Sequence, residues 1–287
     1  MKTISFFSYK GGSGRSSLIY NVLPFLADKL NPTPQNPIVL FDMDIDSMGL
    51  TYLFDDESAE AEVTIQKIIE GDYPGEDDED PYTFYRAAAA IGETYGMEAR
   101  SILLVPAERN HEAPATFDAD DDPFTNIVRK LGGCGCKAVI FDCPSGNQAT
   151  GRISREITDT YVIVMRITMQ FRIGTYEYLK TLNGQVFEHD FIVVPNAVPN
   201  DRIVLDGAVY NYDRTRVSIK EELAHATNDR VNNLNTDMLE EGSFGIPEVK
   251  RLKLREDIIY NLPDNDKGEE EQKAIAQYRK LAEILSR

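Results

Sequence analysis

The stretch Thr3–Leu26, TISFFSYKGGSGRSSLIYNVLPFL, passes from an apolar run through a glycine-rich turn into residues of helical period. Ile4 to Phe7 reads as a buried strand, and Ser16 to Leu30 as a helix. Between them, Gly11, Gly12 and Gly14 let consecutive backbone N–H groups turn inward with no Cβ in the way. The positive end of the following helix is aimed at the same point. A strand, such a turn and a helix in that order make a cradle for phosphate. Ser13 lies inside it. Ser16 stands where a hydroxyl ligates Mg²⁺ between outer phosphates, with Ser17 just behind it.

The same alternation continues along the chain. Ile38 to Phe41, Ile102 to Val105, Ala138 to Phe141, Tyr161 to Met165 and Phe191 to Val194 are further short apolar runs. Helical periods cover Phe124 to Leu131, Ile173 to Leu182 and Lys273 to Leu285. Strand and helix in turn predict an α/β fold, a mostly parallel twisted sheet with helices on both faces. The whole chain, 1–287, is expected to form a single P-loop domain. Acidic loop insertions interrupt it near 72–80 and 108–122, and the polar region from Asn200 to Glu241 reads as a further insertion.

Thirty basic against 48 acidic residues leave a net charge of −18, which repels nucleic acid and anionic lipid unless a local patch overrides it. Much of the acid sits in DYPGEDDED, Asp72 to Asp80, and DADDD, Asp118 to Asp122, which read as solvated loops. Cys134, Cys136 and Cys143 make no even disulfide framework, and the start of the chain runs directly into a strand. A reducing, cytoplasmic setting is expected. Cys134 and Cys136 lack the second pair or histidine that a thiolate metal site needs. No window reaches the ~18 consecutive apolar residues of a membrane span, so the protein is expected to be soluble.

Lys10-Gly11-Gly12-Ser13-Gly14-Arg15-Ser16 resembles the deviant Walker A loop, K-G-G-x-G-K-[ST], of the MinD/ParA ATPases at all but one position. In the general phosphate-loop pattern, Tyr9 replaces the first glycine and Arg15 the lysine. Later stretches of the chain resemble that family's landmarks in order. IVLFDMDIDSMGL is similar to its switch I strand, with Asp42 and Asp44 at the D-x-D positions; Asp46 adds a third carboxylate that can equally be a solvated turn residue. KAVIFDCPSGN is similar to its Walker B and switch II segment, with Asp142, Pro144 and Gly146. FIVVPNAV is similar to the strand ending in an asparagine at the adenine edge, here Asn196. GSFGIPEVK is similar to the segment around Pro247 and Glu248 that lines base and ribose. Together these matches span residue 3 to about residue 260.

The resemblance implies ATP and Mg²⁺ as cofactors. It assigns Mg²⁺ coordination to Ser16, Asp42 and Asp142, orientation of the attacking water to Asp44, and a reach across a nucleotide-sandwich dimer to Lys10. Gly11 to Ser17, Asn196 and Pro247 would hold the nucleotide. Cys143, within the switch II turn, reads as a small buried filler. Arg15 keeps the positive charge but is planar and longer than lysine, so nucleotide binding is expected to survive better than turnover.

The implied activity is slow ATP hydrolysis that switches a homodimer and recruits a protein partner. The alternative is a nucleotide-bound regulatory subunit with little turnover. A metabolic synthetase on the same fold is disfavoured, because no motif suggests a second substrate pocket. Lys250, Arg251, Lys253, Arg255, Lys273, Arg279 and Lys280 form a footprint for non-specific DNA, against the overall charge. The stripe Ile275, Tyr278, Leu281, Ala282 and Leu285 fits a terminal helix packed on the sheet better than a membrane anchor, since it lacks a strongly basic face.

Overall fold

The structure, a computed structural model, describes residues 1–74, 80–109, 123–146, 149–182, 190–199, 204–205, 208–209, 212–227, 234–242 and 244–287. Every apolar run picked out in the sequence is a strand. β1 (Lys2–Ser8) leads through the glycine turn into α1 (Arg15–Leu30). β2 (Ile38–Asp42) is followed by four short helices, α2 (Gly49–Leu53), α3 (Asp55–Ser58), α4 (Ile65–Glu70) and α5 (Pro81–Ala87), and by strand β3 (Ala89–Ala90). Next come β4 (Ile102–Val105), α6 (Pro123–Gly133), β5 (Ala138–Ser145), α7 (Ala149–Glu156), β6 (Thr160–Met165), α8 (Met169–Leu182) and β7 (Asp190–Pro195). The short strands β8 (Val204–Leu205) and β9 (Ala208–Val209) pair with each other, and α9 (Tyr212–Thr227), β10 (Leu234–Asn235) and α10 (Glu269–Ser286) complete the order.

The main sheet runs β10-β7-β6-β1-β5-β2-β4-β3, with only the β3–β4 pair antiparallel. Its central strands are buried on both faces, which only a sheet covered by helices on both sides allows. Alternate residues feed opposite layers. Ile4 and Phe6 join α1 and α10 in one core, while Phe7 packs with Tyr161 of β6, Leu179 of α8 and Leu223 of α9 on the other side. Val39, Phe41 and Phe141 meet Phe124, Ile127 and Leu131 of α6 on that side too.

Register places the carboxyl ends of three strands together. Asp42 of β2 pairs directly with Asp142 of β5, and an irregularity between Phe6 and Ser8 turns the end of β1 against Ser145. The chain passes from β1 to β2 over β5, so these carboxyl ends lie at the sheet's switch point, where open α/β sheets bind ligands.

Pro24 sits inside α1 without breaking it. A proline there removes the N–H that would bond the carbonyl four residues back. That carbonyl, on Tyr20, instead accepts from the Tyr95 hydroxyl at 3.2 Å. The apolar stripe of α10 is core: Tyr278, Leu281, Ala282 and Leu285 are buried, and Ile275 packs partly buried beside them. Among the described residues, no helix is long and apolar enough to cross a membrane. The acidic run Asp118 to Asp122 and most of the run from Asp72 to Asp80 lie outside the described residues.

Candidate functional site

The loop between β1 and α1 takes its shape from two left-handed glycines, Gly12 at φ 79° and Gly14 at φ 78°. Gly14 caps α1 with its backbone alone, its carbonyl accepting from Leu18 N at 2.9 Å. Asn196, at the end of β7, donates its amide to the carbonyls of Ser13 at 2.9 Å and Gly14 at 3.1 Å. A Cβ on Gly14 would stand 2.8 Å from that amide nitrogen and push it off the loop carbonyls, and the left-handed φ favours glycine on its own. Ser13 is buried; Gly11, Gly12 and Ser17 are exposed along the cradle. Lys10 projects from the loop tip, donating to Gln170 at 2.9 Å above the Phe171 ring.

Ser16, in the first turn of α1, donates its hydroxyl to Asp142 at 2.5 Å. Asp42 and Asp142 are fully buried. One oxygen of Asp42 accepts from both the N–H and the hydroxyl of Thr51, each at 2.8 Å, while its other oxygen is buried with no hydrogen-bond partner. Burial pushes the Asp42 carboxyl up to about 7, and the Asp142 charge beside it adds to the rise. Asp142 is also raised by burial, against the pull of Arg15 and Ser16.

Arg15 turns inward. Its Nε donates to Asp142, one terminal nitrogen to Asp44 at 2.7 Å and the other to Ser8 at 3.2 Å. The side chain is 7% exposed. Removing a guanidinium from water is costly and lowers its proton affinity, yet the two carboxylates more than compensate and hold it firmly charged. The sequence places Arg15 among phosphate ligands; its observed partners are the two aspartates expected to serve metal and water.

Asn196 and Pro247 line one cavity of about 400 Å³ together with Gly14, Ser17, Arg166 and Glu248. The segment carrying Pro247 is docked beside β7 by Val198 N to Ile246 O at 2.9 Å and Glu248 N to Val198 O at 2.7 Å. Ala197 holds φ 51° next to Asn196, a left-handed conformation that alanine rarely adopts and that marks functional sites.

Three residues near the site carry no motif signal. Thr51 holds Asp42 and accepts from Ala107 N at 2.9 Å. A Cβ on Gly49 would overlap the Ser16 hydroxyl. Arg166 donates from Nε to the Gly12 carbonyl at 2.8 Å. Gly49 could have been noticed as a glycine just after D-x-D; Thr51 and Arg166 offered nothing but position. Asp46 is exposed on the turn after Asp44. Cys143 is buried 2.9 Å from the Ser154 hydroxyl, and burial pushes its thiol up to about 11, as a packed filler requires.

The basic cluster is largely engaged with nearby acids. Lys250 pairs with Glu270 at 3.1 Å, Arg251 with Asp257 at 3.6 Å, Lys253 with Glu248 at 2.8 Å and Lys273 with Glu269 at 2.6 Å.

No protein-family model and no curated protein matches this sequence. Solved structures do. The chain is similar to the MinD cell division protein of Aquifex aeolicus at 18% identity and a TM-score of 0.61, over 98% of this chain and 97% of that one. The chain has the MinD/ParA P-loop NTPase fold. It is also similar to Cyanothece McdA, solved as an ATP complex, at 15% identity and a TM-score of 0.62, over 99% of this chain and 96% of that one. Cobyrinic acid a,c-diamide synthase from Mycobacterium smegmatis, solved with ADP and magnesium, shares 14% identity and a TM-score of 0.61, over 99% and 94%. The MinD/ParA fold therefore carries synthetase chemistry too, so the function must be argued from residues. On this copy of the fold, Ser16, Asp42 and Asp142 offer an all-oxygen donor set, and the buried, unpartnered oxygen of Asp42 would accept from the water shell of a hard dication. The residues fit Mg²⁺.

Proposed function

We propose that the protein binds ATP with Mg²⁺, hydrolyses it slowly, and uses the nucleotide to pair with a second copy and recruit a protein partner. The observation that carries this reading is the convergence of Ser16, Asp142, Asp42 and Asp44 at the mouth of the glycine cradle. Backbone N–H groups from Gly11 to Ser17 bind the phosphates. Ser16, Asp42 and Asp142 hold the Mg²⁺ shell, and Asp44 orients the attacking water. Bound Mg²⁺ would offset the negative charge between the outer phosphates. Asn196 and Pro247 hold the nucleoside end, and Lys10, exposed at the loop tip, meets the partner's nucleotide. Asp44 must first release Arg15, which makes turnover slow.

Solved relatives on this fold support the reading at the level of chemistry. MinD of Pyrococcus horikoshii is complexed with Mg-ADP, and the Aquifex MinD forms a complex with MinC. The inward Arg15 favours the second reading, a nucleotide-holding subunit with little turnover. Non-specific DNA binding has less support, since four of the basic side chains already pair with acids.

Sedimentation velocity with Mg-ATP tests the switch. The wild type is expected to dimerise with ATP, Asp44→Ala to stay dimeric longer, and Lys10→Ala to remain monomeric. A wild type that binds ATP yet stays monomeric overturns the switch and leaves the nucleotide-holding subunit.

A further inference from the structure

The charges around the cradle do not balance with Arg15 where it is. One guanidinium faces two carboxylates, Asp44 and Asp142, and three of its nitrogens are already donating to these and to Ser8. A polyphosphate chain brings further negative charge to the same loop. The position that usually supplies a lysine here supplies a cation whose partners lie beneath the loop. With Arg15 committed beneath the loop and Lys10 turned to the partner in the proposed dimer, a cation with free donors above the loop would be needed to face the phosphates in its place.

Arg166 is placed to do so. It follows β6, the neighbour of β1 in the sheet, and its side chain crosses the glycine turn to donate from Nε to the Gly12 carbonyl at 2.8 Å. That bond fixes the guanidinium plane. Among the described residues its two terminal nitrogens have no hydrogen-bond partner, and it lines the same cavity as Gly14, Ser17 and Asn196. The acid in that cavity, Glu248, already has Lys253 at 2.8 Å. A guanidinium anchored at one edge, with its other edge open to a phosphate cradle, is preorganised for bidentate contact with phosphate oxygens.

We propose that Arg166 is a phosphate-binding residue, gripping the nucleotide's phosphate chain from its nucleoside side and supplying the charge that Arg15 gives to Asp44 and Asp142. The proposal rests on the nucleotide-binding reading above. It makes Arg166 a determinant of affinity for nucleoside diphosphates and triphosphates over uncharged nucleosides.

Isothermal titration with ADP, ATP and adenosine tests it on the wild type, Arg166→Gln and Arg166→Lys. Glutamine keeps an N–H donor for Gly12 and loses the charge; lysine keeps the charge and loses the fork. Arg166→Gln is expected to weaken ADP and ATP about tenfold or more. Arg166→Lys should fall between it and the wild type, with adenosine binding and the thermal midpoint of the unliganded protein unchanged. Wild-type ADP affinity in Arg166→Gln overturns the proposal alone. A loss of ADP binding matched by an equal loss for adenosine, or by a lowered midpoint, shows that Arg166 only shapes the loop and also overturns it. A wild type that binds none of the three overturns the nucleotide-binding reading and this proposal together.

Discussion

At the scale of single residues, the site is built from buried charges that satisfy one another only in part. Arg15 is shared by two carboxylates, and a lysine in its place could not reach both with a fixed fork. Asp42 is the residue left under strain. Its folded pKa of about 7 stands above its ordinary 3.8, so between those values the folded protein holds a proton that the unfolded chain has lost. Asp42 therefore contributes stability that is lost as pH rises through this window, and its contribution is flat above it. Asp42→Asn keeps an oxygen for Thr51 and removes the charge. It is expected to flatten this decline and to melt higher than the wild type at about pH 8. Thermal midpoints across the window check this, and a variant less stable than the wild type at the alkaline end would mean that the fold stabilises the carboxylate. Asp42 and Asp142 were legible because each ends an apolar run, and Asp44 because it completes the D-x-D of the resemblance. Arg15's partners were not, since Asp142 and Asp44 are 127 and 29 residues away in sequence.

At the scale of elements, α1 and α2 meet beside the Ser16–Asp142 hydrogen bond, where the proposed Mg²⁺ would sit. The start of α2 comes so close to the start of α1 that Gly49 has no room for a Cβ beside Ser16. Gly49→Ala should push Ser16 out of line with Asp142 and cost about 10- to 100-fold in Mg²⁺-dependent nucleotide affinity, with a smaller change in EDTA. Fluorescent-nucleotide titrations with and without Mg²⁺ measure the difference. Unchanged affinity would show that α2 moves away from Ser16 when ligand binds. The helices α1, α6, α8 and α10 and the central strands were legible from periodicity, and α1 runs on through Pro24 because Tyr95 supplies the missing hydrogen bond from outside the helix; α7 was not read, nor was α9, which lies in the stretch from Asn200 to Glu241 read as a polar insertion. The four short helices α2 to α5 were missed. Segments of 4 to 7 residues hold too little of a helical period to show, and tertiary contacts decide them. Arg166 and Thr51 were invisible for a related reason, each acquiring its role only when another strand end arrives beside it.

At the scale of the whole molecule, a net charge of −18 opposes the approach of a polyanion to the proposed phosphate cradle. In the proposed reading, local cations, Lys10 at the tip and Arg166 across the turn, would offset that field at the cradle. Exposed Tyr9, Met169 and Ile173 lie on the loop and at the start of α8, close to Lys10, where the proposed dimer would be expected to cover them. The partner's identity was not legible, because the sequence holds no second motif outside the nucleotide landmarks.

In the proposed function Asp44 orients the attacking water and Arg15 restrains Asp44, and steady-state phosphate release from Mg-ATP measures both roles. The wild type should release phosphate slowly, Asp44→Ala should lose about 10²-fold or more of that rate, and Arg15→Lys should exceed the wild type. Release that is unaffected by Asp44→Ala, or ATP binding with no release in both the wild type and Arg15→Lys, would contradict it.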